Sequence, residues 1–307
     1  MNQPHALANI VRPVTVFKSE RLSDLSGQQV ILAVETLQHT GSFKFRAAYN
    51  VASKVPQTHL IAASSGNFGQ ALAYACRLLG KRCTIVMPVT SSKTKIAAVQ
   101  GYGGETDLVD VTKETRASRV RKLAAEYPDA YLSSAYDDDL VIEGNSTLGL
   151  ELLCCGISFD CIVAPVGGGG LASGLVRAFH ESGSKVDVFG AEPALGNDAV
   201  RSLRTGKLVS NDEEPPTLAD GARTLSLGFR NWAILEHGLA GIFEVSEIHI
   251  RQAVKSLFLY ANLKIEPTGG LSYGALLANP PELRDRVICF VISGGNVDPE
   301  LYATLIQ

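Results

Sequence analysis

The sequence has no surplus of one charge. Its 307 residues carry 28 Lys and Arg against 31 Asp and Glu, a net charge of −3 with a pI near 6.1. That leaves no basic field of the kind that grips a phosphate backbone, so nucleic acid is not expected as a partner. No apolar run reaches the roughly 18 residues that a membrane span needs. The start, Met1 to Pro13, also lacks a charged region followed by an apolar stretch, so neither a membrane nor a secretory route is expected. The six cysteines, Cys76, Cys83, Cys154, Cys155, Cys161 and Cys289, form no C-x-x-C pair, which removes thiol exchange and zinc-finger chemistry. They read as reduced core residues in a cytoplasmic protein. For the adjacent Cys154 and Cys155, small hydrophobes on a helix is the plainer reading and a redox pair the alternative. There is no internal repeat, no low-complexity tract and no flexible Gly/Ser linker.

What is present is a chain that is 46% hydrophobic and 19% charged, enough apolar material for buried sheets. Its length predicts two domains with a cleft between them. Short β-branched runs at Val30 to Val34, His59 to Ala63, Arg82 to Met87, Cys161 to Pro165, Val186 to Gly190 and Val287 to Ile292 read as strands. Between them, Gly69 to Gly80, Lys93 to Tyr102, Thr115 to Tyr127, Thr147 to Cys155 and Leu171 to Ser182 read as helices. This alternation predicts an α/β fold, parallel sheets covered by helices. With no linker to divide the chain, one domain is expected to be inserted in the other, residues 53–143 within 1–52 and 144–307.

Four segments carry chemistry. In the first, the apolar strand C-I-V-A-P-V runs into Gly167, Gly168, Gly169 and Gly170 and then into a helix. Backbone N–H groups there can converge on a phosphate, and the helix N-terminus adds its positive end. An ordinary tight turn would need only one or two glycines. Ala172 keeps a G-x-G-x-x-A spacing, so a dinucleotide site is not excluded by this motif alone. A P-loop is excluded, because Leu175 stands where lysine must reach the phosphates. In the second, Lys44 lies between aromatics in G-S-F-K-F-R; apolar flanks lower an amine's pKa, as a Schiff-base lysine requires, although such lysines elsewhere simply snorkel at a surface. The third, Ser64-Ser65-Gly66-Asn67-Phe68-Gly69-Gln70, suits a carboxylate at a helix N-terminus, with an ordinary N-cap as the alternative. The fourth, Ser293-Gly294-Gly295-Asn296, ends the last strand and can set a hydroxyl beside an aromatic ring nitrogen.

Together and in this order, over nearly the whole chain, these segments resemble the fold type II pyridoxal-phosphate enzymes, the serine/threonine dehydratase and serine racemase family. The resemblance implies a tryptophan synthase β-like fold of two parallel-sheet domains, pyridoxal 5'-phosphate as cofactor, and a homodimer. It implies that Lys44 carries the cofactor with Phe43 packed near it, that Asn67 bonds its phenolic oxygen, that Gly167 to Gly170 hold its phosphate, and that Ser293 faces its ring nitrogen. Ser64, Ser65 and Asn67 would receive a substrate carboxylate, with Ser65 as the acid/base opposite Lys44; Thr224 and the Asp220-Gly221 pair rank lower as site residues. The implied activity is a lyase of amino-acid metabolism that dehydrates a β-hydroxy-amino acid such as serine, threonine or a 3-hydroxy relative, releasing ammonia. Racemisation, β-replacement and a non-catalytic small-molecule binder are the alternatives. Glu192, Gly196 and Asp198 match the stretch where relatives hold a divalent cation, Mg²⁺ or Ca²⁺, while capping of backbone N–H groups is an equal alternative there.

The sequence departs from the family at two places. Phe68 stands where relatives have histidine, which makes the substrate side more apolar. Ile142 to Thr147 read I-E-G-N-S-T where relatives read I-A-G-Q-G-T, on a stretch that lines or closes the cleft, so Glu143 and Asn145 are expected to bear on specificity or closure. The run Asp137 to Asp139 reads as a solvated turn. With Gln307 following the core directly, no appended regulatory domain is expected.

Overall fold

The structure is a computed structural model and describes residues 7–307. Among these, ten strands run in the order β1 (Thr15–Lys18), β2 (Gln29–Val34), β3 (His59–Ala63), β4 (Arg82–Pro88), β5 (Glu105–Val109), β6 (Tyr131–Ser133), β7 (Cys161–Pro165), β8 (Asp187–Pro193), β9 (Gly241–Val245) and β10 (Val287–Ile292). They form two sheets, one ordered β1-β2-β10-β7-β8-β9 and the other β5-β4-β3-β6. Every pairing is parallel except β1 on β2. Parallel central strands are buried on both faces, which is why β7 and β10 read as unbroken apolar runs.

The helices are α1 (Glu20–Ser26), α2 (Lys44–Lys54), α3 (Asn67–Leu78), α4 (Lys93–Gly101), α5 (Arg116–Glu126), α6 (Asp139–Leu153), α7 (Gly170–Glu181), α8 (Asp198–Thr205), α9 (Phe229–Gly238), α10 (Glu247–Ala261), α11 (Pro267–Leu277) and α12 (Pro299–Ile306). All strands of the smaller sheet fall between residues 59 and 133. We propose that residues 53–143 are the smaller unit, inserted in a larger one made of 1–52 and 144–307. One apolar cluster joins α2, α3, β3, β4 and Val141 of α6, so the chain crosses between the sheets along packed helices.

Three expectations need correction. The helix expected from Thr147 starts at Asp139, because the Asp138 side chain accepts from Leu140 N and caps it. The I-E-G-N-S-T stretch therefore lies inside α6. Gly144 lets this helix press on α2, since a Cβ there would stand 2.7 Å from Ala47 Cα. The aspartate run is a junction: Asp137 accepts from Phe229 N and Arg230 N, Asp138 from the Tyr131 hydroxyl, and Asp139 pairs with Arg230. Cys154 is exposed at the end of α6 and Cys155 half-buried, whereas the other four cysteines are core residues.

The start of α2 is anchored by a buried ion network. Arg46 is fully buried and donates to both Glu35 oxygens at 2.8 Å, to Glu151 at 2.8 and 2.9 Å and to the Thr147 hydroxyl. One guanidinium fork thus ties the end of β2 and the middle of α6 to the helix that begins at Lys44.

Candidate active site

The glycine run is set by packing on every side. A Cβ on Gly167 would stand 2.9 Å from Gly221 O, one on Gly169 2.9 Å from Asn231 Cβ, and one on Gly170 3.0 Å from Tyr136 O, while at Gly168 it would enter the Tyr136 ring. Gly169 also sits at φ 91°, in the left-handed region that favours glycine. The carbonyls of Gly168, Gly169 and Gly170 accept from Asn231 Nδ2, Ser173 N and Asn145 Nδ2. Their N–H groups meet no acceptor among the described residues, as expected at a helix N-terminus. The loop therefore presents unspent donors at the positive end of α7, an anion cradle.

Lys44 opens α2 just after Phe43, whose N–H donates to Ser293 O at 3.0 Å. The Lys44 amine donates to Ala135 O at 2.9 Å and lies 5.0 Å and 5.9 Å from the ring centroids of Phe43 and Phe68. Burial pushes the amine down to about 8, and the negative charge of Glu266 offsets part of that shift. Ala135 directly precedes the Tyr136 that covers the glycine loop, so one short strap touches both Lys44 and the loop.

The Ser64 hydroxyl accepts from Gly66 N and Gly69 N, so it caps the turn into α3. Ser65 lines an open groove of about 410 Å³ with Thr90, Ser91, Ser92 and Lys95. Asn67 donates from Nδ2 to Glu266 Oε1 at 2.7 Å and accepts at Oδ1 from Asn296 Nδ2 at 2.8 Å. The Ser293 hydroxyl is buried with no hydrogen-bond partner among the described residues.

The structure thus brings Phe43, Lys44, Asn67 and Ser293 into one cluster and links it to the glycine loop. The buried Thr224 hydroxyl has no hydrogen-bond partner among the described residues, this cluster included. Asp220 pairs with Lys95 at 2.7 Å, bridging α4 to the wall beside Gly167. Asn145 supports the cradle from behind through Gly170 O, and Glu143 pairs with Lys54. Glu266 escaped the sequence reading. It is 4% exposed and precedes Pro267, the first residue of α11, yet its side chain makes no cap hydrogen bond. The sequence signal is an acid directly before P-T-G-G.

Glu192 and Asp198 lie apart from this cluster. Glu192 is buried and accepts from Ala199 N and Val200 N at the start of α8, while Asp198 accepts from Asn211 at Oδ1 and its buried Oδ2 has no hydrogen bond among the described residues. Burial raises Glu192 to about 8 and Asp198 to about 7, and the charge of Asp198 adds to the rise at Glu192. Among the described residues no three His, Cys, Asp or Glu side chains converge.

Comparison with known proteins identifies the family. The family described as pyridoxal-phosphate dependent enzyme matches residues 7–294. The chain is 36% identical to L-threo-3-hydroxyaspartate ammonia-lyase of Pseudomonas sp over 296 residues, 95% of this chain and 92% of the other. It is 36% identical to the serine racemase of Homo sapiens over 295 residues, 92% of this chain and 86% of the other. The crystal structure of T.th. threonine deaminase superposes with a TM-score of 0.90 at 38% identity, covering 95% of each chain.

Proposed function

The chain belongs to the family of pyridoxal-phosphate-dependent enzymes, and from that premise we propose that it is an ammonia-lyase that converts a β-hydroxy-amino acid to a 2-oxo acid and ammonia. The observation that carries this reading is the enclosed Lys44 amine, held between two aromatic rings and joined to Ser293 on one side and to the glycine loop on the other. Incubating the purified holoenzyme with serine, threonine and 3-hydroxyaspartate tests it. Equal yields of 2-oxo acid and ammonia from at least one of them are expected; no 2-oxo acid from any of them contradicts it.

The residues fit the cofactor. The free N–H groups of Gly167 to Gly170 would hold its phosphate, the orphaned Ser293 hydroxyl its ring nitrogen, and the remaining amide hydrogen of Asn67 its phenolic oxygen, with Phe43 packed alongside. Pyridoxal phosphate, when bound, supplies the electron-withdrawing ring that makes an amino acid's Cα–H acidic. With its amine pushed down to about 8, Lys44 is partly neutral near pH 7 and can take that proton. The N-terminal end of α3 receives the substrate carboxylate, through Ser65, the Asn67 backbone N–H and the one proton left on the Ser64 hydroxyl. Phe68, 2% exposed, keeps water from the amine. Thr224 belongs to the same reading as a lower-ranked substrate contact.

Similarity to a serine racemase supports a second reading, racemisation, with Ser65 as the proton donor opposite Lys44. Elimination needs one base on one face, whereas inversion needs a donor on the other. Ser65→Ala is therefore expected to stop enantiomer exchange while keeping part of the 2-oxo acid release, with kcat the quantity compared. Unchanged racemisation in the variant removes Ser65 from the mechanism.

Two buried carboxylates, one with an unbonded oxygen, also suit a hard cation, and we assign Mg²⁺ or Ca²⁺ to Glu192, Asp198 and the Gly196 carbonyl, with water completing the shell. Without a cation, the raised carboxyl of Glu192 favours the folded state only while protonated. Stability of the chelated protein should then fall as pH rises from the ordinary glutamate range through about 8. Chelation is expected to lower the melting temperature, most of all at the alkaline end, and added Mg²⁺ or Ca²⁺ to restore it. Indifference to chelator across that range leaves only the capping role. The same reading extends to a cytoplasmic homodimer; among the described residues no helix is long and apolar enough to cross a membrane.

A further inference from the structure

Asn67 is held at both ends of its amide by side chains from distant parts of the chain. Its Nδ2 donates to Glu266 Oε1 at 2.7 Å, and its Oδ1 accepts from Asn296 Nδ2 at 2.8 Å. Asn296 is itself fixed, because its Nδ2 also donates to Thr40 O at 2.7 Å. The two bonds distinguish the ends of the amide. A flipped Asn67 would set oxygen against the Glu266 oxygen and nitrogen against the Asn296 nitrogen. In the observed orientation one amide hydrogen is spent on Glu266 and the other is free to donate.

The backbone around this pair is shaped to admit it. A Cβ on Gly294 would stand 2.5 Å from Glu266 Oε1, and one on Gly41 would stand 2.5 Å from Asn296 Oδ1. Gly41 has φ 75°, a left-handed conformation suited to glycine. Two further bonds tie the segments: Glu266 N donates to Gly294 O and Gly295 N to Gly41 O. Four segments, at residues 40–41, 67, 266 and 294–296, thus converge on one amide.

We infer that Glu266 and Asn296 are positioning residues that lock the Asn67 amide with its free hydrogen aimed at the cofactor. The inference rests on the cofactor assignment above and is separate from the reaction. Glu266 serves Asn67 only as an acceptor oxygen, a role that an amide also fills. Its amide analogue should then serve in its place.

The test uses holoenzyme variants and reads the visible band of the bound pyridoxal phosphate and its dissociation constant on dialysis. Glu266→Ala and Asn296→Ala are each expected to shift the band and weaken cofactor binding at least about fivefold, the effect of one lost hydrogen bond. Glu266→Gln is expected to stay within about twofold of wild type, since it keeps an acceptor. In an Asn67→Ala background the same alanine substitutions should add less than about twofold, because their effect runs through that amide. Asn296→Ala reads the other end of the amide, so the test stands if Glu266→Ala does not fold. The inference is overturned if the alanine variants keep wild-type affinity and band, if they cost as much in the Asn67→Ala background, or if Glu266→Gln is as weak as Glu266→Ala. A wild-type chain that binds pyridoxal phosphate but turns over no substrate sinks the proposed reaction and leaves this measurement intact.

Discussion

Lys44→Ala is expected to lower kcat by at least about 10³-fold, within the range that a positioned proton-transfer group contributes, and to remove the visible band of the bound cofactor. The size of the effect follows from how other lysines are engaged. Lys95 is paired with Asp220, Lys54 with Glu143, and Lys81 donates to the Ala52 and Val55 carbonyls. The Lys44 amine has one carbonyl partner, two aromatic neighbours and a pKa brought down to about 8 by burial. Lysines at the surface keep their charge near neutrality and are poor bases there. Steady-state turnover and the absorption spectrum of the variant check this together. A Lys44→Ala enzyme that keeps both its activity and its band would overturn the assignment.

Arg46→Ala should have the largest effect on stability. Glu35 is 1% exposed, and Glu151 shares the same guanidinium. Removing the arginine takes from buried Glu35 the guanidinium that offsets its charge, with the Glu151 carboxylate close by. Breaking a buried pair in this way costs about 3–5 kcal/mol, and the melting temperature should fall by on the order of 10 °C for a chain of this size. Arg46→Lys is expected to recover little, because one ammonium cannot bridge both carboxylates with two parallel bonds. Adding Glu35→Gln to Arg46→Ala should restore part of the loss by removing one unpaired charge. Thermal denaturation of the single and double variants decides it. A drop of less than about 1 kcal/mol would place the network among weak surface pairs.

Much of the site was legible because its chemistry is local in sequence. The run from the apolar strand into Gly167 to Gly170, and Lys44 between two phenylalanines, each mark a loop or a helix start within a few residues. The limits of β3, β7 and β10 agree with the sequence reading to the residue for the same reason, as short apolar runs between turn signals. Elements whose character depends on tertiary neighbours were not legible. α11 reads P-T-G-G-L-S-Y-G-A-L-L, poor in helix formers, yet it is buried along nearly all its length, and Gly269 must be small because a Cβ there would stand 2.7 Å from Gly294 O. The I-E-G-N-S-T stretch hides its helix behind polar residues. Within α6 they bond inward, Asn145 to Gly170 O, Ser146 to Glu143 O and Thr147 to Gly144 O. β5 and β6 lie at the edges of the smaller sheet and alternate too little to stand out. Glu266 was missed because its role rests on burial and on a partner nearly 200 positions away, and the acid before P-T-G-G tells of neither.

Under the proposed function, Lys44 holds pyridoxal phosphate between Phe43, Phe68 and the glycine loop. Borohydride reduction of the holoenzyme, followed by digestion and peptide mapping, tests it most directly. Loss of the visible band and a pyridoxyl group on the peptide that contains Lys44 are expected. A pyridoxyl group on any other lysine, or a chain that takes up none, would contradict it.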